Sequence, residues 1–230
     1  MTKTDTRDIE KTVEQINELE MAGCDIIRCA VPNIDAAKSL KDIILKTKLP
    51  IVADIHFEYR LALEAIKSGV HGLRINPGNI GQKKRIISVV QSAKDSNIPI
   101  RIGVNSGSLE KDLLEKYGYP SADALVESAE RHLSILDELD FKNVKVSVKS
   151  SNVNIMIDAY RKLAKKTDVP FHLGVTESGT YEIGSVKSSI GIGSLISEGI
   201  GDTIRVSLTD DPIKEVKMGK NILKALGHFE

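Results

Sequence analysis

The sequence has no tryptophan, only two cysteines and no net charge, and each of these features narrows what the chain can do. Aromatic residues make up 4% of the chain, too few for the stacking platforms that bind single-stranded nucleic acid. The 32 basic and 32 acidic residues cancel, so we expect no general attraction to nucleic acid or to an anionic membrane. A small molecule is therefore the expected partner.

Long apolar runs are also missing. None approaches the roughly 20 residues of a membrane span, and residues 1–10 are polar, without the apolar core of a signal peptide. Cys24 and Cys29 are too few for a disulfide framework, which favours a reducing, cytoplasmic location. A length of 230 residues fits a single large α/β domain that spans 1–230.

Six segments alternate apolar with polar or small residues, as strands with one oily and one polar face do. They are 51–57, 72–76, 100–105, 144–148, 171–175 and 203–208, and a seventh strand is predicted at 25–31. Helical spacing predicts helices at 8–22, 35–47, 59–67, 83–95, 121–139, 153–166, 184–198 and 211–226, with a loop at 106–120. Alternation of this kind predicts a parallel sheet. One polar face per strand favours a (β/α)8 TIM barrel over a doubly wound sheet.

Eight helices with seven strands imply that the first barrel strand is truncated or missing. It either precedes Met1 or is the short remnant 2–6.

Cations lie on the polar faces near the C-terminal ends of the predicted strands, where barrel enzymes place their active sites. They are Arg28, Arg74, Arg101, Lys149 and Arg205. Against Asp54 and Glu177 they leave a net charge of +3 at one end of a neutral chain. A compact polyanion is the complementary ligand.

Other interpretations of these residues stay open. Taken singly, Arg74 or Arg205 could be a structural arginine paired with Asp54 or Glu177. Lys149 could be the Schiff-base lysine of an aldolase. Asp54 and His56 could begin a metal site, but the sequence offers no further ligand, so a hydrogen-bonded pair is the simpler interpretation. The loop 77–81 could present backbone N–H groups to phosphate or be a plain turn.

Seven stretches, in order along the chain, resemble 4-hydroxy-3-methylbut-2-enyl diphosphate synthase. They are TDTRD (4–8), GCDIIR (23–28), VADIHF (52–57), LRINPGNIG (73–81), RIGVNSGSL (101–109), GVTE (174–177) and GIGDTIRVSLT (199–209). The resemblance implies a (β/α)8 barrel that binds the diphosphate of 2-C-methylerythritol 2,4-cyclodiphosphate. It also implies a second domain with a [4Fe–4S] cluster held by three Cys and one Glu, and a homodimer through the barrel. In this family, two electrons from flavodoxin or ferredoxin open the cyclic diphosphate and a hydroxyl leaves as water.

The resemblance assigns roles to residues of the strand ends. Glu177 is implied as the proton donor to the departing hydroxyl, with Thr176 near the carbon chain and Asp54 and His56 at the barrel mouth. The implied substrate-binding residues are Arg28, Arg74, Asn76, Arg101, Asn105, Ser147, Lys149, Arg205 and Ser207.

The sequence departs from the family pattern because it has no cysteine triad, whereas a [4Fe–4S] cluster takes about four thiolate-like ligands. We therefore expect no cluster in this chain, and substrate binding without turnover. Two alternatives remain. The chain could be a stand-alone TIM-barrel transferase or lyase of the pterin-binding or Schiff-base type, or a non-enzymatic barrel that binds a ligand and a partner protein.

Overall fold

The computed structural model describes residues 1–76, 80 and 83–228. Helices and strands alternate along the chain as the sequence predicts. The strands are β1 (Ile27–Ala30), β2 (Ile51–Asp54), β3 (Gly72–Ile75), β4 (Ile100–Asn105), β5 (Val144–Lys149), β6 (His172–Leu173) and β7 (Thr203–Ile204). The helices are α1 (Ile9–Met21), α2 (Ile34–Lys46), α3 (Tyr59–Lys67), α4 (Lys83–Asp95), α5 (Lys111–Tyr117), α6 (Ala122–Glu138), α7 (Val153–Ala164), α8 (Tyr181–Ser197) and α9 (Pro212–Ala225).

Contacts divide the chain into two compact units. Unit 1 comprises Met1–Ile102 and His132–Val144, and unit 2 comprises Gly103–Arg131 and Lys145–Glu230. The prediction of a single domain over 1–230 stays a prediction.

In unit 1, β1, β2, β3 and the first half of β4 are neighbours in a parallel sheet. Apolar side chains of one parity form its buried face: Ile27, Cys29, Ile51, Ala53, Leu73, Ile75, Ile100 and Ile102. Side-chain caps fix the starts of two helices, since Asp8 accepts a hydrogen bond from the N–H of Lys11 and Asn33 accepts one from that of Ala36. The side chains of the opposite parity, several of which are polar, lie on the other face of the sheet, where the candidate site is.

The segment before α1 lies along β1. The N–H of Thr2 donates to the carbonyl of Arg28 (3.0 Å), and the hydroxyl of Thr6 donates to the carbonyl of Ala30 (2.7 Å). The segment is not a strand: the first of these bonds is between backbone groups, whereas the second comes from a side chain. Of the predicted strand remnant at 2–6, the structure shows only this irregular pairing with β1.

In unit 2, β6 and β7 are parallel, with His172 opposite Thr203 and Leu173 opposite Ile204. β5 joins β6 through a single parallel bridge between Val146 and Phe171. Helix α8 packs closely here because it carries glycines: a Cβ on Gly191 would lie 2.8 Å from the methyl carbon of Met156. Close packing thus explains Gly191.

Four predicted elements differ from the observed ones. The predicted loop 106–120 contains helix α5, which two side-chain hydrogen bonds join to α6: the hydroxyl of Tyr117 donates to Glu127, and Nη1 of Arg131 donates to Asp112. The predicted strands 171–175 and 203–208 are shorter in the structure. Some of their backbone groups bond to side chains instead of to a neighbouring strand; for example, the N–H of Leu208 donates to the Glu215 carboxylate (2.9 Å). Strand β2 ends at Asp54, which places His56 in the following loop.

No helix among the described residues combines the length and apolar character needed to cross a membrane.

Candidate functional site

A row of polar residues crosses the sheet of unit 1. The parallel register places Ala30 opposite Asp54, Asp54 opposite Arg74, and Arg74 opposite Arg101. Paired residues of a parallel sheet share one face, so these side chains project from the face opposite the apolar core. Arg28 has the same parity, two residues before Ala30. We call Arg28, Asp54, Arg74 and Arg101 the unit 1 cluster.

Asp54 is the centre of the unit 1 cluster. Its carboxylate lies 3.3 Å from Nη1 of Arg74, 3.4 Å from Nε of Arg28 and 3.4 Å from Nε2 of His56. Its side chain is only 3% exposed, whereas that of His56 is 56% exposed. The structure therefore supports both earlier interpretations, a structural pair of Arg74 with Asp54 and a hydrogen-bonded pair of Asp54 with His56.

The pKa of Asp54 reflects two opposing effects. Burial disfavours the charged carboxylate, but the hydrogen bond with His56 and the charges of Arg28 and Arg74 outweigh it, so the pKa falls below its usual value. Asp54 is thus a carboxylate across the physiological pH range. In this state it can hold two arginines in place, but it has no proton to donate.

The other predicted residues of unit 1 are also buried. Arg101 is 9% exposed, and Asn76, directly after β3, is 3% exposed. Nη2 of Arg28 lies 2.7 Å from the sulfur of Met1, a contact that the sequence does not signal. The predicted phosphate-binding loop at 77–81 lies outside the described residues, apart from Ile80.

In unit 2, the predicted residues of β5 are buried. Ser147 is 2% exposed and Lys149 is 7% exposed, and both belong to the polar parity of the strand. A Cβ built on Gly174 would lie 3.0 Å from Nζ of Lys149 and 2.4 Å from the carbonyl oxygen of Arg205. The ammonium group of Lys149 therefore lies over Gly174, beside the backbone of Arg205. Asn105, at the end of β4, is partly exposed.

Arg205 has a partner that sequence reasoning missed. Its Nη2 lies 3.2 Å from both carboxylate oxygens of Glu215, which is 5% exposed. The alternative partner proposed from the sequence, Glu177, was wrong. Helix α9 begins soon after β7, so Glu215 in its first turn lies near the end of the strand. An acidic residue in the first turn of the next helix was the signal in the sequence that could have identified this partner. The Nε of Arg205 is buried and has no hydrogen-bond partner among the described residues.

The GVTE segment (174–177) begins directly after the end of β6. The N–H of Thr176 donates to the carbonyl of Ser150 (3.2 Å), and Thr176 is partly exposed. Glu177 is exposed and has φ of +48°, a left-handed backbone that non-glycine residues rarely adopt. Such strain is most often kept at functional positions. Ser207 is partly exposed, and its carbonyl accepts a hydrogen bond from the hydroxyl of Ser178.

The cysteines do not form a metal site. The described residues contain no group of three His, Cys, Asp or Glu side chains that could hold a metal ion. Cys29 lies on β1, is fully buried, and belongs to the apolar face. This chain's described residues therefore do not fit the ligand set of a [4Fe–4S] cluster.

Cys29 should be chemically inert in the native chain. Burial raises the pKa of its thiol to about 11, so at pH 8 the reactive thiolate is about 100-fold scarcer than for a thiol with the ordinary pKa of 9.0. Labelling with iodoacetamide, followed by peptide mapping, should leave Cys29 unmodified until urea is added. Equal labelling rates with and without urea would contradict its burial.

The family model described as GcpE TIM-barrel domain matches residues 1–220. The chain belongs to this family. Membership confirms the predicted (β/α)8 TIM-barrel fold class and the resemblance noted from the seven stretches.

Curated relatives are similar to this chain over nearly all of its length. One from Clostridium acetobutylicum, named 4-hydroxy-3-methylbut-2-en-1-yl diphosphate synthase (flavodoxin), is 64% identical over 100% of this chain and 66% of its own length. One of the same name from Proteus mirabilis is 60% identical over 98% of this chain and 61% of its own length. The chain thus spans slightly less than two thirds of the length of these relatives. They favour the synthase interpretation over a stand-alone transferase or lyase.

Solved structures resemble the chain in fold alone. A dihydropteroate synthase from Xanthomonas albilineans has a TM-score of 0.62 at 13% identity, covering 96% of this chain and 86% of that one. A 3-dehydroquinate dehydratase from Geobacillus kaustophilus has a TM-score of 0.62 at 14% identity, covering 97% and 89%. At such identities the likeness supports the TIM-barrel fold and says nothing of the reaction.

Proposed function

We propose that this chain is the substrate-binding barrel of a synthase in isoprenoid biosynthesis. It binds 2-C-methylerythritol 2,4-cyclodiphosphate, which the whole enzyme opens reductively to 4-hydroxy-3-methylbut-2-enyl diphosphate. The observation that carries this proposal is the unit 1 cluster. Three guanidinium groups share one face of the sheet with one buried carboxylate, which gives these four groups a net charge of +2.

A diphosphate is the ligand that matches the unit 1 cluster. Arginine donates two parallel hydrogen bonds in a fixed fork, a geometry suited to phosphate oxygens. The lowered pKa of Asp54 keeps the carboxylate charged, so it holds Arg28 and Arg74 in place before the anion arrives. Asn76, buried at the end of β3, supplies an amide to the same face.

We also propose that residues of unit 2 contact the substrate. Lys149 and Arg205 supply cations, and the buried Nε of Arg205, which lacks a partner among the described residues, is a donor suited to a phosphate oxygen. The polar side chains proposed beside them are Asn105, Ser147 and Ser207.

Glu177 is proposed as the proton donor, with Thr176 near the carbon chain and Asp54 and His56 at the barrel mouth. A departing hydroxyl leaves as water only if it gains a proton. Asp54 is poorly suited to supply it, because its pKa is lowered. Glu177 is exposed, and its left-handed backbone fixes its direction.

The proposed partners and cofactor belong to the whole enzyme. The curated relatives carry flavodoxin in their name, which supports flavodoxin as the electron donor; ferredoxin is the alternative donor that we propose. We propose that the [4Fe–4S] cluster is held by residues outside this chain, that the enzyme is cytoplasmic, and that it is a homodimer through the barrel. Such a cluster would supply the electrons, whereas the residues of this chain would bind and orient the substrate.

Substitution of single arginines tests the proposal. Arg74→Met and Arg205→Met should each weaken cyclodiphosphate binding about 10- to 150-fold, the loss expected for one charge-assisted bond of about 1.5–3 kcal/mol. Isothermal titration of the purified chain measures this loss.

Arg60→Met is the matched control, because Arg60 is exposed on α3. It should leave the dissociation constant unchanged. If Arg74→Met and Arg205→Met, both folded, bound the cyclodiphosphate as well as the native chain, neither the unit 1 cluster nor the residues around Arg205 would be the binding site.

A further inference from the structure

The hydrogen-bond ladder between β5 and β6 is interrupted at Val148. The N–H of Val146 donates to the carbonyl of Pro170 (2.9 Å), next to the bridge between Val146 and Phe171. In a regular parallel ladder the next bond would join the N–H of Val148 to the carbonyl of His172. That direct bond is replaced.

The hydroxyl of Tyr160 occupies the interruption. It accepts a hydrogen bond from the N–H of Val148 (3.1 Å) and donates one to the carbonyl of His172 (2.6 Å). Tyr160 projects from α7 and is fully buried, with its ring edge-to-face against Phe171 at 5.7 Å. Both backbone groups are thus satisfied, but through a side chain that stands between the two strands.

The ladder resumes two residues later. The N–H of Thr176 donates to the carbonyl of Ser150 (3.2 Å), in the register set by Val146 and Phe171. The separation is therefore local to Val148 and its neighbours. Lys149 directly follows Val148, so the hydroxyl of Tyr160 sets the position of the backbone from which the lysine side chain extends.

Gly174 provides the space that the side chain of Lys149 enters. A Cβ at this position would lie 3.0 Å from Nζ of Lys149 and 2.4 Å from the carbonyl oxygen of Arg205. The second distance is far below a normal contact, and the obstacle is backbone rather than a flexible side chain. The φ of Gly174 is not in the left-handed region, so space rather than backbone conformation requires glycine here.

We infer that Tyr160 and Gly174 are positioning residues for Lys149, which contacts the anionic substrate. Tyr160 holds β5 away from β6, and Gly174 leaves room for the ammonium group beside the backbone of Arg205. This inference rests on the proposed function. Neither residue touches the substrate; each acts through Lys149.

The test is a set of double-mutant cycles measured by isothermal titration with the cyclodiphosphate. Tyr160→Phe and Gly174→Ala should each weaken binding about tenfold, equivalent to about 1.4 kcal/mol. In a Lys149→Met background the same two changes should cost less than about twofold, because the group that they position is gone. An equal loss in both backgrounds would show a merely structural role and overturn the inference.

Two exposed or unconstrained positions serve as controls. Tyr181→Phe alters an exposed tyrosine of α8, and Gly193→Ala adds a Cβ that meets nothing within 4 Å. Both should bind like the native chain. If Gly174→Ala does not fold, Tyr160→Phe, which removes one oxygen, decides the result alone.

A ligand-free readout separates this inference from the proposed function. Competitive acetylation with peptide mapping compares the reactivity of Lys149 with that of the exposed Lys165. The ratio should rise in Tyr160→Phe and Gly174→Ala, and an unchanged ratio would overturn the inference. No binding by the native chain, together with a changed ratio, would instead reject the proposed function and leave the positioning role standing.

Discussion

Asp54→Asn should lower the free energy of unfolding by about 3 kcal/mol, because it removes the carboxylate that lies between two largely buried arginines. An anion bound to the same arginines should restore part of the loss. Urea unfolding with and without inorganic pyrophosphate measures both effects, and the anion should stabilise the variant more than the native chain.

The loss should depend on pH in a defined direction. The pKa of Asp54 is lower in the folded chain than in the unfolded chain, so its contribution to stability is fully present above the unfolded value of about 3.9. It is lost as the pH falls through the folded value. The difference between the native chain and Asp54→Asn should therefore be constant from pH 5 to 8 and shrink below about pH 4.

Asp42→Asn is the matched control, since Asp42 is an exposed carboxylate of α2 in the same unit. It should change the free energy of unfolding by less than about 0.5 kcal/mol. A loss for Asp54→Asn no larger than that of the control would mean that the arginines do not depend on Asp54.

Gly201→Ala should destabilise the chain by about 2–5 kcal/mol, through two effects that add. Its φ of +122° is strained for any L side chain, and a Cβ would lie 2.4 Å from Cδ1 of the fully buried Leu173. Leu173 is part of β6 and precedes Gly174, so the damage falls on the strand that carries the GVTE segment. Thermal and urea unfolding give the loss.

Gly199→Ala separates the two effects. Gly199 also has positive φ, +75°, but a Cβ there meets nothing within 4 Å. We expect this variant to lose about 1–2 kcal/mol from backbone strain alone. Equal losses for the two variants would show that the contact with Leu173 is unimportant.

The strand-face pattern predicted much of the site. Alternation on 51–57, 72–76 and 100–105 placed Asp54, Arg74 and Arg101 on one parity, and parallel pairing in register brought them side by side. This follows from strand geometry, in which every second residue shares a face. The fold class could be predicted for the same reason.

The helix-borne residues could not be predicted in this way. Tyr160 lies on α7 and Glu215 on α9, yet both reach into the sheet and bond to strand backbone or to Arg205. Helical periodicity shows which face of a helix is buried, but it does not show that a buried polar atom will replace a ladder bond. The shortened β6 and β7 have the same cause, because their missing ladder bonds go to these side chains.

The left-handed backbone of Glu177 was also beyond sequence reasoning. Strand propensity continues through Val175, and nothing in GVTE requires that the chain turn at the glutamate. Next to this turn, Gly184 of α8 lies close to Ser178 and Leu208, a tertiary contact that strand propensity does not signal.

The most direct test of the central claim is isothermal titration of the native chain with 2-C-methylerythritol 2,4-cyclodiphosphate, with inorganic pyrophosphate and a pterin as comparisons. The account predicts saturable binding of the cyclodiphosphate that is tighter than that of pyrophosphate, and no binding of the pterin. Binding of the pterin, or no binding of the cyclodiphosphate by a folded chain, would contradict it.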